Sequence, residues 1–166
     1  YIAPILSSET NSSTAYITAM LVLFGVGLTL GNMWGGKAAD RSIDRTLIVS
    51  LSVLILVLLA FTLLMRWTVP AALAILIWGI ASFALVPPLQ MRVMEAAKDA
   101  PNLASAVNIG AFNFGNAIGA ALGGAVINAG LGYPAISLAG AAMAALGLLM
   151  VLAYAWRSRT IEAAVV

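Results

Sequence analysis

Five stretches of this sequence are long enough to cross a lipid bilayer as helices and carry no charged residue. A helix rises about 1.5 Å per residue, so about 20 residues cross the roughly 30 Å hydrocarbon core. The stretches cover residues 16–36, 46–65, 69–91, 103–128 and 134–156. Because backbone groups in lipid must bond within their own helix or a closed barrel, and no barrel pattern occurs, we predict an all-α polytopic membrane helix bundle.

The composition supports lipid as the main solvent and argues against several functions. Hydrophobic residues make up 63% of the chain and charged residues 8%, against about 25% charged in soluble domains. The chain has no Cys and no His, so it offers no thiolate or imidazole for metal, redox or acid–base chemistry. We therefore expect no cofactor, no metal, no nucleic-acid partner and no enzymatic activity, with the lipid bilayer as a partner.

The positions of Lys and Arg predict the orientation of the helices, because cytoplasmic loops retain positive charge. Seven of the eight basic residues follow the first, third or fifth stretch: Lys37, Arg41, Arg45, Arg92, Lys98, Arg157 and Arg159. Arg66 follows the second stretch. We expect the amino end outside and the carboxyl end in the cytoplasm, with residues 16–156 as the bundle and residues 157–166 as a cytoplasmic tail.

The first 15 residues differ from the five stretches. Residues 1–6 are apolar but too short to span a membrane, and residues 7–14 are polar. This pattern indicates the end of a truncated helix followed by an exterior loop. The chain begins with Tyr1 and shows no signal peptide pattern, so we expect it to be a piece of a longer protein.

The interior of the fourth stretch contains three amides, Asn108, Asn113 and Asn116, among mainly small and apolar residues. At about 100° per residue, one face of this helix combines two amides, an aromatic ring and three glycines. That face comprises Asn108, Phe112, Gly115, Asn116, Gly119 and Gly123. Amides in hydrocarbon need partners, so Asn108, Phe112, Asn113 and Asn116 either line a polar solute pathway or join helices. The sequence leaves both interpretations open.

Glycine and proline residues predict helix contacts and a bend. Gly27, Gly31 and Gly35 repeat every four residues in the first stretch, as Gly115, Gly119 and Gly123 do in the fourth. Such stripes let another helix backbone approach closely, so we predict helix packing at both. Pro87 and Pro88 remove backbone donors and should bend or end the third helix, as a structural feature or a gating bend.

The loop after the first stretch contains Gly36, Asp40, Arg41 and Arg45, and its spacing resembles the signature loop of the major facilitator superfamily. Ile43 stands where that family has a second Gly, and Asp44 occupies a usually basic position. The loop therefore resembles the weaker copy found in the carboxyl half of these carriers. It predicts a conformational latch in which Asp40 caps the next helix or faces a helix amino end and Arg41 bonds carbonyls or a carboxylate. Ordinary interfacial charge is the alternative.

Two further segments, residues 86–90 and 108–116, resemble the tenth and eleventh helices of efflux carriers in the drug:proton antiporter group, nearest to arabinose-efflux-permease-like members. The resemblance implies that the five stretches correspond to helices eight to twelve of a twelve-helix carrier. In such carriers two six-helix halves rock about a central site. The resemblance also implies a proton-coupled exporter of a small sugar or drug-like solute in a bacterial inner membrane. The missing amino-terminal half would then be a partner.

These observations lead to a transporter as the main functional hypothesis. The alternative is a non-transporting structural or assembly module that binds partner helices through its glycine-rich faces. No ionisable residue lies deep within a stretch, although ion-coupled carriers usually place one at membrane depth. The sequence therefore does not identify a coupling residue.

Overall fold

The computed structural model describes residues 2–9 and 13–165, and within these ranges the chain forms seven helices and no strand. Their bounds are α1 Ile2–Glu9, α2 Thr14–Ala39, α3 Ile43–Leu64, α4 Thr68–Phe83, α5 Val86–Ala96, α6 Pro101–Asn128 and α7 Pro134–Val165. Five segments are long and apolar enough to cross a membrane, with α4 and α5 together forming the third of them. The predicted all-α class and the presence of five apolar helices of membrane-spanning length are confirmed.

Helices α2 and α4 pack with their backbones in direct contact. A Cβ added at Gly27, Gly31 or Gly35 would lie 2.7, 2.2 or 2.5 Å from a backbone carbonyl oxygen. These oxygens belong, in the same order, to Leu76 and Ile80 of α4 and to Ala84, the residue that follows α4, so the two helices run in the same direction. The stripe of glycines in α2 thus lies where only a hydrogen atom fits beside the neighbouring backbone.

Helices α3 and α7 form the second long contact, and they run in opposite directions. Gly140 of α7 lies against Leu58 of α3, and Gly147, about two helical turns later, lies against Leu51. At one end of the bundle, α1 adds Ile5 and Leu6 to a fully buried cluster with residues of α3 and α4. The small α7 residues allow α3 to approach, and α1 closes the end of the bundle.

The third membrane segment is interrupted two residues before its prolines. Helix α4 ends at Phe83, and α5 begins at Val86 with Pro in its first turn. Pro is tolerated in a first turn because those N–H groups have no helical partner in any case. The double proline therefore starts a new helix, and the axis of the third segment is free to change at Ala84 and Leu85.

The amino-terminal region is more helical than expected. Helix α1 continues to Glu9, three residues beyond the predicted end, and the Ser7 hydroxyl donates to the Pro4 carbonyl at 3.0 Å. Helix α2 begins at Thr14, capped by Ser13, whose hydroxyl accepts from the Tyr16 N–H at 3.3 Å. Of the predicted exterior loop, residues 10–12 lie outside the described residues, as do residues 1 and 166.

Candidate functional site

Asn108 joins α6 to α5 through a short chain of amide hydrogen bonds. Its Nδ2 donates to Oε1 of Gln90, and Nε2 of Gln90 donates to the Ser105 hydroxyl at 3.3 Å. Asn108 is only 7% exposed. The sequence left helix packing and solute binding open for this residue. This hydrogen bond is of the kind that the packing interpretation requires, and a role of Asn108 toward a solute stays a prediction.

Phe112, Gly115 and Asn116 line a groove of about 350 Å³ together with Asn108 and Leu89 of α5. Phe112 is half-buried, whereas Asn116 is exposed. The four α6 residues lie on one helix face, as the periodicity predicted, and α5 forms the opposite wall. The groove therefore combines two amides with an aromatic ring, a surface that can hydrogen-bond the polar groups of a small molecule and pack against its apolar part.

Asn113 lies apart from the other two amides. It is exposed and does not line the groove. Five residues separate it from Asn108, which corresponds to about 140° around the helix. The structure thus brings together Asn108, Phe112 and Asn116 of the four pathway candidates and leaves Asn113 outside the groove.

The two glycine stripes have different surroundings. A Cβ added at Gly115 or Gly119 would meet no atom within 4 Å, in contrast to the α2 glycines. Gly115, Gly119 and the buried Gly123 instead line a cavity of about 290 Å³ bounded by α3, α4, α6 and α7. Among the described residues, no backbone packs closely on Gly115 or Gly119, so a packing role for them stays a prediction.

In the signature loop, a neighbouring serine and not Asp40 caps the next helix. Asp40 ends α2 in a helical conformation and its N–H bonds to the Gly36 carbonyl at 3.1 Å. Ser42 has the extended backbone of a capping residue, and its hydroxyl accepts from the Arg45 N–H at 3.3 Å. The expectation that Asp40 caps α3 is therefore wrong, because only the residue directly before the helix can present its side chain to those N–H groups. The Asp40, Arg41 and Arg45 side chains are exposed.

An ion pair lies close to this loop and involves a residue that departs from the family pattern. Arg92 of α5 binds the Asp44 carboxylate in the first turn of α3. The Arg92 guanidinium also lies 4.7 Å from the centre of the Tyr154 ring of α7. A carboxylate near a helix amino end and a cation over an aromatic face are both favourable arrangements. Arg92 thus connects α5 to α3 and α7.

Sequence reasoning did not find this cluster. Asp44 stood out only as an unusual residue in the loop, and Arg92 served only as one of the basic residues that predict the orientation. The two charges are 48 positions apart in the chain. The one local signal is Asp44 itself, an acidic residue in the first turn of α3. Its position indicates that it stabilises the helix end, but it does not identify the basic residue that pairs with it.

Comparisons with known proteins find relatives among membrane transport proteins. The model of the Major Facilitator Superfamily matches residues 1–165. The chain is 55% identical over 151 residues to "Inner membrane transport protein YdhP" of Escherichia coli strain K12, covering 91% of this chain and 39% of that protein. It is 34% identical over 150 residues to "Uncharacterized MFS-type transporter YfhI" of Bacillus subtilis, covering 90% of this chain and 38% of that protein.

A third relative is named for a substrate class. The chain is 34% identical over 152 residues to "Probable sugar efflux transporter" of Helicobacter pylori, covering 89% of this chain and 38% of that protein. The chain therefore spans less than two-fifths of the length of each of these three relatives.

Proposed function

Because this chain belongs to the Major Facilitator Superfamily, we propose that it is part of a membrane transporter that exports a small organic solute by alternating access. Its relatives support this proposal, since their names describe transport proteins and one describes sugar efflux. The same relatives support a bacterial inner membrane as the location, a non-enzymatic activity and a second half that completes the protein. The amino end of the chain is proposed to lie outside and the carboxyl end in the cytoplasm.

The observation that carries the proposal is the groove on α6. Asn116 is exposed beside Phe112 in a helix that is apolar enough to cross a membrane. An amide at such a position is unfavourable in lipid and favourable beside water, solute or another helix. We assign Asn116 and Phe112 to solute binding, and Asn108 to holding the groove wall through Gln90.

Proton coupling is the further part of the proposal. Asp44 and Glu95 lie near the ends of the membrane segments in which they occur, and no carboxylate lies near the middle of any of the five segments, all of which are described. A group that exchanges protons during transport normally lies at membrane depth. We therefore assign coupling to the part of the protein outside this chain. The Asp44–Arg92 pair, at the helix ends, is assigned to conformational stability.

Cysteine accessibility in the full-length protein, with native cysteines replaced, tests the pathway. Single cysteines replace Phe112, Asn116 and, as the matched control on α6 outside the groove, Asn113. Membrane vesicles are treated with a charged methanethiosulfonate reagent, with and without a panel of sugars and amphiphilic drugs. We expect labelling at Phe112→Cys and Asn116→Cys that a transported solute slows, and no solute effect at Asn113→Cys.

Two results separate this proposal from the alternative. Absence of labelling at both positions in a correctly inserted protein would contradict a water-filled pathway and support a structural module. Asn116→Ala is also expected to reduce solute efflux from reconstituted vesicles while leaving the amount of inserted protein unchanged. Normal efflux in that variant would remove Asn116 from the binding site.

A further inference from the structure

Gln90 of α5 sets the orientation of the Asn108 amide. Its Oε1 accepts a hydrogen bond from Asn108 Nδ2, and its own Nε2 donates to the Ser105 hydroxyl at 3.3 Å. The nitrogen and the oxygen of an amide lie on the two branches of one planar group, and only the oxygen accepts. The bond to Gln90 therefore fixes which branch of the Asn108 side chain is left for another partner, and that branch carries Oδ1.

The Asn108 oxygen keeps access to the groove. Within the described part of the chain, the side-chain oxygens and nitrogens that are both fully buried and unpaired are the hydroxyls of Ser50 and Ser137. Asn108 Oδ1 makes no hydrogen bond to a described residue, so it retains accessible surface. Asn108 lines the groove opposite Leu89 and is otherwise buried. The groove is therefore where this oxygen can accept a hydrogen bond from a solute.

The walls of the groove disfavour a charged solute. The described residues that line it carry no charge: Leu89, Asn108, Ala111, Phe112, Gly115 and Asn116. A carboxylate, phosphate or ammonium group would lose water there without gaining an opposite charge, which is costly within a membrane segment. A hydroxyl loses less hydration and is paired by an amide. The groove thus suits neutral polar groups.

The order of the groove residues along α6 defines a shape for the solute. Asn108, Phe112 and Asn116 follow one another at intervals of four residues, about 6 Å along the helix axis. The half-buried Phe112 ring lies between the two amides and can pack against an apolar part of a molecule. A compound that combines an apolar portion with uncharged hydroxyls matches this order.

We propose that Gln90 is a positioning residue that makes the groove selective for uncharged, hydroxyl-bearing solutes, because it turns the Asn108 carbonyl oxygen toward the solute as an acceptor. The inference rests on the proposed transport function and adds a specificity-determining residue to it. A solute hydroxyl donates to Asn108 Oδ1, whereas an ether oxygen or a fluorine at the same place has no proton to donate. A reversed chain, in which Ser105 donates to Gln90 and Gln90 donates to Asn108, would present the Asn108 nitrogen and select acceptors.

Equilibrium binding to the full-length protein in lipid nanodiscs tests the inference, with radiolabelled phenyl β-D-glucopyranoside as the probe. This probe is uncharged and combines an aromatic ring with four hydroxyls. Four monodeoxyfluoro analogues each replace one hydroxyl by fluorine, which removes a donor with little change in size. Phenyl β-D-glucuronide, which carries a carboxylate, is the charged comparison. Affinities of the analogues are measured by displacement, and binding to empty nanodiscs is subtracted.

In the wild type we expect saturable binding of the glucoside. At least one fluoro analogue should bind about three- to tenfold more weakly, as loss of one hydrogen bond predicts, and the glucuronide at least about tenfold more weakly. Gln90→Glu keeps an oxygen that accepts from Asn108, so the same fluoro analogue should remain about three- to tenfold weaker than the glucoside.

Gln90→Met has a similar length but no amide, so the Asn108 amide is free to turn and either branch can face the solute. The difference between the glucoside and that fluoro analogue should then fall below about twofold. A purely structural role of Gln90 would instead weaken all of these compounds by the same factor. Asn113→Ala, outside the groove, should match the wild type, and thermal unfolding curves verify that the variants fold.

Three results would overturn the inference. The first is absence of saturable glucoside binding to the wild type. The second is a fluorine effect of equal size in the wild type and Gln90→Met. The third is a wild type that binds the glucoside and every fluoro analogue equally, which would fit the reversed chain and a donating Asn108 nitrogen.

The binding assay needs no ion gradient, so it separates this inference from the proposed function. The expected binding pattern in a reconstituted protein that moves no solute would retain the role of Gln90 and reject transport. Efflux of another solute by a protein that does not bind the glucoside would retain transport and reject the inference.

Discussion

At the scale of single residues, the α2 glycines are placed where no side chain fits. We predict that Gly31→Ala destabilises the full-length protein, because its Cβ would lie 2.2 Å from the Ile80 carbonyl oxygen and the clash is with backbone. The helices must then separate, and the expected loss in unfolding free energy is about 1–3 kcal/mol. Thermal unfolding of the purified protein in detergent measures this loss.

Gly25→Ala is the matched control in the same helix. A Cβ at Gly25 would meet no atom within 4 Å, and Ala favours a helix over Gly by about 1 kcal/mol. The control should therefore melt at the same temperature as the wild type or slightly higher. Equal destabilisation of both variants would mean that the effect comes from helix propensity or insertion and not from contact with α4.

Asn108 carries the second prediction at this scale. Asn108→Ala leaves the half-buried Gln90 oxygen without its donor, at an expected cost of about 1–3 kcal/mol in unfolding free energy. Asn113→Ala removes an exposed amide that lines no groove and should change stability by less than about 0.5 kcal/mol. Unfolding curves of the two variants test the difference. Unchanged stability with lost solute binding in Asn108→Ala would instead identify it as a ligand.

At the scale of helices, α5 is held on two sides after the break at Ala84 and Leu85. Gln90 connects it to α6, and Arg92 connects it to Asp44 of α3 and Tyr154 of α7. The proline pair permits a change of axis, and these contacts fix which axis α5 takes in this conformation. The predicted latch between helices is therefore proposed to involve Asp44 and Arg92, two residues outside the matched part of the family loop.

A double-mutant cycle tests that pair. Asp44→Asn, Arg92→Gln and the double variant should give a coupling energy of about 0.2–1 kcal/mol in unfolding experiments, because both side chains are partly exposed, at 35% and 23%. The coupling should decrease in 1 M salt, where screening is stronger. Additive effects of the two single substitutions would show that the ion pair contributes nothing to stability.

The helices were predictable because hydropathy and length depend only on neighbouring residues. The five stretches, the break near Pro87 and the closeness of Asn108, Phe112 and Asn116 on one face all follow from local pattern and helical periodicity. Contacts between residues that are distant in the sequence cannot be predicted from local pattern. Gly27–Gly31–Gly35 and Gly115–Gly119–Gly123 have the same spacing, yet the first stripe contacts α4 and Gly115 and Gly119 of the second border open space. Which stripe packs depends on the neighbouring helix, and the sequence of the stripe contains no information about it.

At the scale of the whole molecule, α6 is the least buried of the five membrane segments. It is described throughout, and three of its residues are buried: Ala104, Asn108 and Gly123. Its remaining surface includes the amides of Asn113 and Asn116 and large apolar side chains such as Phe114. A surface of this mixed character is unsuited to lipid alone, so we propose that α6 faces the remainder of the protein across the solute pathway.

The orientation of α6 across the membrane provides the last prediction. Its two flanking loops contain the exposed residues Asp99 and Leu131, which lie on opposite sides if the helix crosses the bilayer. The first loop contains Lys98 and follows the helix that carries Arg92, whereas the second is an uncharged turn that contains Gly130 and Gly132, both with positive φ. From this charge difference we predict that Asp99 lies in the cytoplasm.

Labelling of intact cells with a membrane-impermeant maleimide tests this placement in the full-length, cysteine-replaced protein. Leu131→Cys should react in intact cells, and Asp99→Cys should react only after the cells are permeabilised. The reverse pattern would invert the proposed topology and would move Arg92 and Asp44 to the outer face, where a cytoplasmic latch cannot operate. Reaction of both residues in intact cells would mean that α6 does not cross the membrane, and the solute pathway proposed along it would then be wrong as well.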